Sequence, residues 1–363
     1  MNTLETSKKL FERYESIYHI VEYYGLFALY GLAHTALESK DAELLSKCTQ
    51  MLELYPDNFD HPKYNFDAYK VGGNAKAFLA YKGYFDNHLE KIRKYAEKTM
   101  KARVDSNGIM CHPAFPEREM VWIDVVTAVT PFMLYAGLAL NEEKYIDFAA
   151  EQCFKMYELL LDRTCGILHQ SKGFMPDGKL LSHDHWSRGN GWGYIGLTEL
   201  VKSLPENSKH REKAEKYFKD ISKAFIKYQT EKGVWRQELT CEYSWDESSG
   251  TGIIAYGLGV GLRMGILDEE TYRVPFSNAI NGIINCFINE NYSTNMGCSG
   301  CCCPGEGEEK GSIKSYLTNV YPLSDEPHSF GALMLALVEA HRNGITEVQK
   351  TRRLYYEREK AVK

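Results

Sequence analysis

Four times along this chain an amphipathic stretch with helical spacing stops, a glycine follows, and a short apolar run begins. The four are Asn107-Gly108-Ile109-Met110, Cys165-Gly166-Ile167-Leu168, Lys232-Gly233-Val234-Trp235 and Met296-Gly297-Cys298. Successive glycines lie 58, 67 and 64 residues apart. A period of about 60 residues is the length of one helical hairpin with a long connection. Six such units fill the 363 residues. Glycine suits each stop because the position just past a helix favours left-handed backbone, which other residues enter at a cost.

Helical apolar spacing recurs near 22–38, 42–55, 68–81, 86–102, 123–139, 142–161, 190–203, 208–230, 250–264, 270–289 and 327–343. Few alternating strand patterns compete. Two kinds of helix alternate. Segments 71–81, 189–197, 250–262 and 330–338 are apolar nearly all round and rich in Gly and Ala, so they are expected to be buried on every side. Their partners, such as 208–230, carry one charged face and belong outside. Six inner and six outer helices make an all-α, six-hairpin α/α barrel, a closed toroid. An open α-solenoid is the alternative, but long loops ahead of the inner helices are more typical of a functional mouth. No linker or low-complexity segment interrupts the pattern, so residues 1–363 are read as a single catalytic domain.

The formal charge is −6, from 43 basic and 49 acidic residues. That balance gives no reason to expect a nucleic acid or an anionic membrane as partner. The first residues, MNTLETSKKLFERYES, are charged and lack the apolar core of a signal peptide. No apolar run is long enough to span a bilayer. The ten cysteines are therefore expected to be reduced thiols in the cytoplasm rather than a disulfide framework. Four of them crowd into Cys298-Ser299-Gly300-Cys301-Cys302-Cys303. One C-x-x-C pair without a second pair or a nearby His makes a poor tetrahedral set, so no metal and no cofactor are expected.

Loops leading into the inner helices should gather at one end of the ring. They hold Asp67; Trp122 and Asp124; His183 to Trp192; Tyr243 to Thr251; and Ser324 to Ser329, with four of the five Trp among them. Asp124 sits between apolar neighbours in VWIDVVTAV. Lost hydration there raises a carboxyl pKa and suits a general acid, although Asp is also a good helix N-cap. Asp67, in NFDAYK, invites the same two readings. Arg188 between Trp186 and Trp192 can bind a carboxylate while the rings stack on sugar, or serve a packed helix start. His169 can donate to a substrate hydroxyl, or be a satisfied structural histidine.

These residues resemble the unsaturated rhamnogalacturonyl hydrolases, relatives of the unsaturated glucuronyl hydrolases. The resemblance runs over almost the whole chain. It rests on Trp186-Ser187-Arg188-Gly189-Asn190-Gly191-Trp192, on Trp122-Ile123-Asp124 and on Glu247-Ser248-Ser249-Gly250-Thr251. It implies a metal-free α/α barrel acting on an oligosaccharide whose non-reducing end is a 4,5-unsaturated uronic acid. It implies hydration of the vinyl ether, with Asp124 as general acid/base and Asp67 as a second carboxylate that orients sugar hydroxyls and tunes Asp124. His169, Trp186, Arg188 and Trp192 match substrate-contacting positions, and His112 falls about where the family carries a further cleft histidine. Gln170-Ser171-Lys172-Gly173 departs from the family's aromatic or Gly-Trp stretch, which leaves the sugar beyond the uronate open. A sugar epimerase on the same scaffold and a non-catalytic helical-repeat binding module are the rival readings. Paired Asp with the W-x-R-G-N-G-W run fits neither as well.

Overall fold

The computed structural model describes residues 1–56, 58–61, 64–114, 118–300 and 303–351. Thirteen α-helices follow one another: α1 (Thr3–Glu15), α2 (Tyr23–Ser39), α3 (Ala42–Leu54), α4 (Gly73–Tyr81), α5 (Leu89–Met100), α6 (Asp124–Leu140), α7 (Glu143–Leu160), α8 (Ser187–Ser203), α9 (Arg211–Lys227), α10 (Ser248–Arg263), α11 (Glu269–Gly282), α12 (Ile313–Asn319) and α13 (Pro327–Arg342). Helices α2, α4, α6, α8, α10 and α13 each pack on the next, and α13 packs back on α2. That closes an inner ring of six. Helices α1, α3, α5, α7, α9 and α11 lie outside it, each packed against one or two of the inner six. The toroid is therefore closed, and the open solenoid is excluded.

Composition explains the layering. In α6, every residue from Asp124 to Gly137 is buried, whereas in α9 only Ala214, Phe218, Ile221, Ser222, Ala224 and Phe225 are. Small residues let the inner helices approach closely. A β-carbon on Gly252 of α10 would lie 2.7 Å from the backbone carbon of Ala332 in α13, and one on Gly331 would lie 2.6 Å from the Phe27 carbonyl oxygen in α2.

Helix α1 was not among the helical segments read from the sequence. It supplies the sixth outer helix, capped by the Asn2 side chain and burying Leu10, Phe11 and Tyr14. Residues 346–348 meet the first residues of the chain beside it. Thr3 N–H donates to Thr346 O (3.0 Å), and Val348 N–H donates to Met1 O (3.0 Å). The short α12 was also missed.

The repeated glycines do not end helices. Gly108, Gly166 and Gly233 have φ of +73°, +82° and +81°, but each sits in a tight turn several residues beyond its outer helix. Gly166 N–H, for instance, closes onto Asp162 O (2.8 Å) between β2 (Leu161–Asp162) and β3 (Ile167–Leu168). The fourth phrase breaks the pattern, since its left-handed residue is Met296 (φ +61°) rather than Gly297. Each turn sends the chain up to the mouth. There β1 (Val121–Trp122) pairs with β4 (Ser171–Lys172), and β5 (Gly297–Cys298) with β6 (Pro322–Leu323).

Candidate active site

The N-terminal turns of five inner helices converge on one pocket that opens to solvent. Tyr23 and Tyr24 begin α2, Asn74 lies in the first turn of α4, Asp124 begins α6, Trp192 lies in the second turn of α8, and His328 is the second residue of α13. All six line it. Tyr64 and Tyr69, from the loop before α4, complete an aromatic wall, with the Tyr23 and Tyr64 rings stacked at 4.0 Å. Helix N-termini carry partial positive charge, so this mouth favours an anion even in an acidic protein.

Asp124 is 3% exposed. Burial drives its carboxyl up to about 8, against a smaller lowering by the charge of Arg188. Its Oδ2 has no hydrogen-bond partner. A carboxyl buried among aromatic rings stays protonated near neutrality and holds that proton for whatever enters the cavity.

A buried chain of polar groups stands opposite. Arg188 Nη1 is 3.7 Å from Glu326 Oε2. Glu326 Oε1 is 2.5 Å from His328 Nδ1, and His328 Nε2 is 2.7 Å from the Tyr23 hydroxyl. Burial favours a neutral Glu326, but His328 and Arg188 hold it below its ordinary value. Burial, aided by Arg188, keeps His328 below its own. The consistent state is an ionised Glu326 accepting from His328 Nδ1–H, which leaves Nε2 to accept from Tyr23 O–H. Burial keeps the Tyr23 phenol protonated. The hydroxyl of Tyr23 is thus aimed by a carboxylate–imidazole pair drawn from the far end of the chain.

The residues expected from the sequence divide. Asp124 and Trp192 line the cavity. Arg188 does not; it is 2% exposed, stacks over Trp186 with its guanidinium 4.7 Å from the ring, and Nη1 donates to Cys298 O (2.7 Å) and Ser249 Oγ (3.2 Å). Trp186 is buried beneath it, with Nε1 3.3 Å from Cys298 Sγ. These two form the wall behind the cavity, and the charge of Arg188 reaches Asp124.

Asp67 lines a neighbouring pocket with His112, Arg103 and Thr99, and pairs with Lys70 (3.4 Å). The turn before α4 sends Tyr69 to the Asp124 side and Phe66 and Asp67 to the other. Burial, not a second carboxylate, raises Asp124. His112 stacks on Trp122 at 4.8 Å, and Trp122 meets Tyr64 at 4.9 Å, so the two cavities share that aromatic partition. His169 lines neither cavity and sits instead beside Asp162 and His185.

The Glu247 motif is also structural. Glu247 caps α10 by accepting from Ser249 N–H (2.8 Å) and Gly250 N–H (2.6 Å), and from Ser187 Oγ–H (3.0 Å) at the start of α8. Gln170 takes a like part at the departing stretch, where its Oε1 accepts from the Tyr316 hydroxyl and its carbonyl from Ile123 N–H (2.9 Å), one residue before Asp124. Cys298 and Cys303 are buried; Cys301 and Cys302 lie outside the described residues.

The profile of Glycosyl Hydrolase Family 88 matches residues 4–344. The chain belongs to that family. This family 88 chain is 29% identical over 174 residues to an unsaturated 3S-rhamnoglycuronyl hydrolase from Formosa agariphila, an alignment covering 46% of each protein. It is 24% identical over 245 residues to an unsaturated rhamnogalacturonyl hydrolase from Bacillus subtilis, covering 64% of this chain and 69% of the relative. The first of these matches thus spans about half the relative's length. Among solved structures, a family 105 glycoside hydrolase from C. acetobutylicum superposes with a TM-score of 0.79 at 23% identity, over 92% of this chain and 99% of the other. An unsaturated glucuronyl hydrolase from Bacillus sp. GL1 gives 0.68 at 14% identity over 95% and 96%. Both likenesses are of fold.

Sequence reading of the family 88 chain missed Tyr23, Tyr64, Asn74, Glu326 and His328 as site residues. The last two stand in Ser324-Asp325-Glu326-Pro327-His328-Ser329, already visible as a mouth loop. No local signal links them to Tyr23, which lies 305 residues from His328.

Proposed function

We propose that this protein removes a 4,5-unsaturated uronic acid from the non-reducing end of lyase-generated oligosaccharides by hydrating its vinyl ether. The observation that carries the reading is Asp124: a buried carboxyl, protonated up to about pH 8, with an unpartnered oxygen in an aromatic cavity at converging helix N-termini. A vinyl ether is a weak base at carbon, so its hydration at neutral pH needs a positioned acid. Asp124 delivers its proton to C4. Water adds at C5, and its proton returns to the Asp124 carboxylate. The resulting hemiketal opens at the C5–O5 bond to a ketone, and the hemiacetal left at C1 releases the remaining glycan.

The uronate carboxylate sits in the field of Arg188 and the helix N-termini. Tyr23, whose proton is held by His328 Nε2, presents its phenol oxygen as an acceptor to a substrate hydroxyl, and Trp192 and Tyr64 offer ring faces to the sugar. The named relatives act on unsaturated uronyl substrates, which supports the same substrate class here. We further infer one catalytic domain and a reducing, cytoplasmic setting. In support, no helix among the described residues is long and apolar enough to cross a membrane.

Turnover of a lyase-generated unsaturated disaccharide in D₂O tests the chemistry. Hydration places one deuterium on C4 and abolishes the ultraviolet absorbance of the double bond. A product that keeps the double bond, released by displacement at C1, contradicts the proposal.

A further inference from the structure

Beside the mouth, the turn between β2 and β3 and the segment leading into α8 bring four groups with metal-ligand chemistry to one point. His185 Nε2 lies 3.2 Å from Asp162 Oδ2, and His169 Nε2 lies 3.9 Å from the same oxygen. All three ligand atoms fall within 4.8 Å of one another. Cys165 Sγ is 3.4 Å from His185 Nε2 on the same side. Zinc bonds of about 2.0–2.3 Å in a tetrahedron put neighbouring ligand atoms about 3.3–3.8 Å apart, so the spacing already approximates the edges of such a site.

The surroundings fit as well. Asp162 Oδ1 is occupied by Thr164 N–H (2.8 Å) and Thr164 Oγ1 (2.6 Å), which fixes the carboxylate and turns Oδ2 to the histidines. The second nitrogen of His185 faces Thr240 Oγ1 (3.4 Å) and the fully buried Glu238 carboxylate (3.7 Å), the carboxylate–histidine arrangement that orients a metal-bound imidazole. Side-chain exposures of 16% for His169 and 19% for Asp162 leave a path for an ion.

We propose that Asp162, His169 and His185 form a zinc site, with an open fourth position flanked by Cys165. The ion ties the 162–169 turn to the segment that carries Trp186 and Arg188, so it acts as a staple at the rim of the mouth. Neither the sequence spacing nor the glycosidase reading points to it, and it stands independently of that reading.

The test uses the full chain, stripped with a chelator, titrated with zinc alone and analysed for bound metal after gel filtration. One equivalent of zinc is expected to remain. Asp162→Asn and His185→Gln should each weaken binding at least ~10-fold, with circular dichroism and thermal melting reporting that the variants are folded. Cys301→Ser/Cys302→Ser should retain the ion. Absence of retained zinc overturns the proposal. So does zinc that survives both ligand variants or is lost with the two cysteines.

Discussion

At the residue scale the account rests on Asp124, a buried carboxyl with an unpartnered oxygen that lines the aromatic cavity. Asp124 was legible in the sequence because apolar residues flank it on both sides, and flanking residues are what a local pattern reports. Asp67 looked similar, but a single turn sends it to a different cavity, and no pattern of residue types records which way a turn faces. The same environment that makes Asp124 an acid costs stability. Its pKa is 3.8 in an unfolded chain and about 8 when folded, so the folded state binds the extra proton between those values. Stability from this group is full below the lower value and is lost as pH rises through the upper one. Asp124→Asn removes that loss. The variant should melt higher than the parent at pH ~8.5, by an amount on the order of a few kcal/mol, and the gap should shrink towards pH ~4. Equal melting at both pH values would mean that the carboxyl is not held neutral.

Helices and their contacts were legible where periodicity is strong. The distinction between inner and outer helices follows from apolarity all round against a single apolar face, and the structure bears it out at α6 and α9. Helix α1 escaped because its charged surface dominates the segment, although Leu10, Phe11 and Tyr14 lie at helical spacing. The repeated glycines were read as helix stops from their sequence position, but backbone sign does not reveal how far beyond the helix a turn falls. Glycines inside the inner helices serve a different purpose, close approach. Gly252→Ala would gain up to about 1 kcal/mol of helix propensity, but its β-carbon meets the α13 backbone at 2.7 Å. A net loss of ~1–3 kcal/mol in urea unfolding is expected from overpacking. A stabilised variant would show that α10 and α13 can move apart freely.

Across the whole molecule, the mouth and the base of the ring are built differently. At the base, Lys202 Nζ lies 2.5 Å from Glu199 Oε2 and donates to Tyr256 OH (2.7 Å) and Tyr30 OH (3.2 Å). Glu199 also accepts from Tyr135 OH (2.5 Å) and Tyr256 OH (2.6 Å). The Lys202 ammonium lies over Phe78 of α4 (5.6 Å), and Glu339 of α13 adds its charge. All six inner helices thus meet in one buried polar plug that shuts the end opposite Asp124. Lys202→Met leaves Glu199 buried without its cation and should cost ~3–5 kcal/mol. Adding Glu199→Gln should recover part of it. Unchanged stability in the single variant would deny the plug its closing role. Closure itself was readable from the count of hairpins. The plug was not, because its members come from six helices that only the ring brings together.

The central claim is that Asp124 is the proton donor, and the ultraviolet absorbance of an unsaturated disaccharide measures it directly. Asp124→Asn preserves shape and removes the transferable proton. The account predicts a kcat at least ~100-fold below the parent, with the protein folded and substrate still bound. Consumption of the double bond at nearly the parent rate by this variant would contradict it.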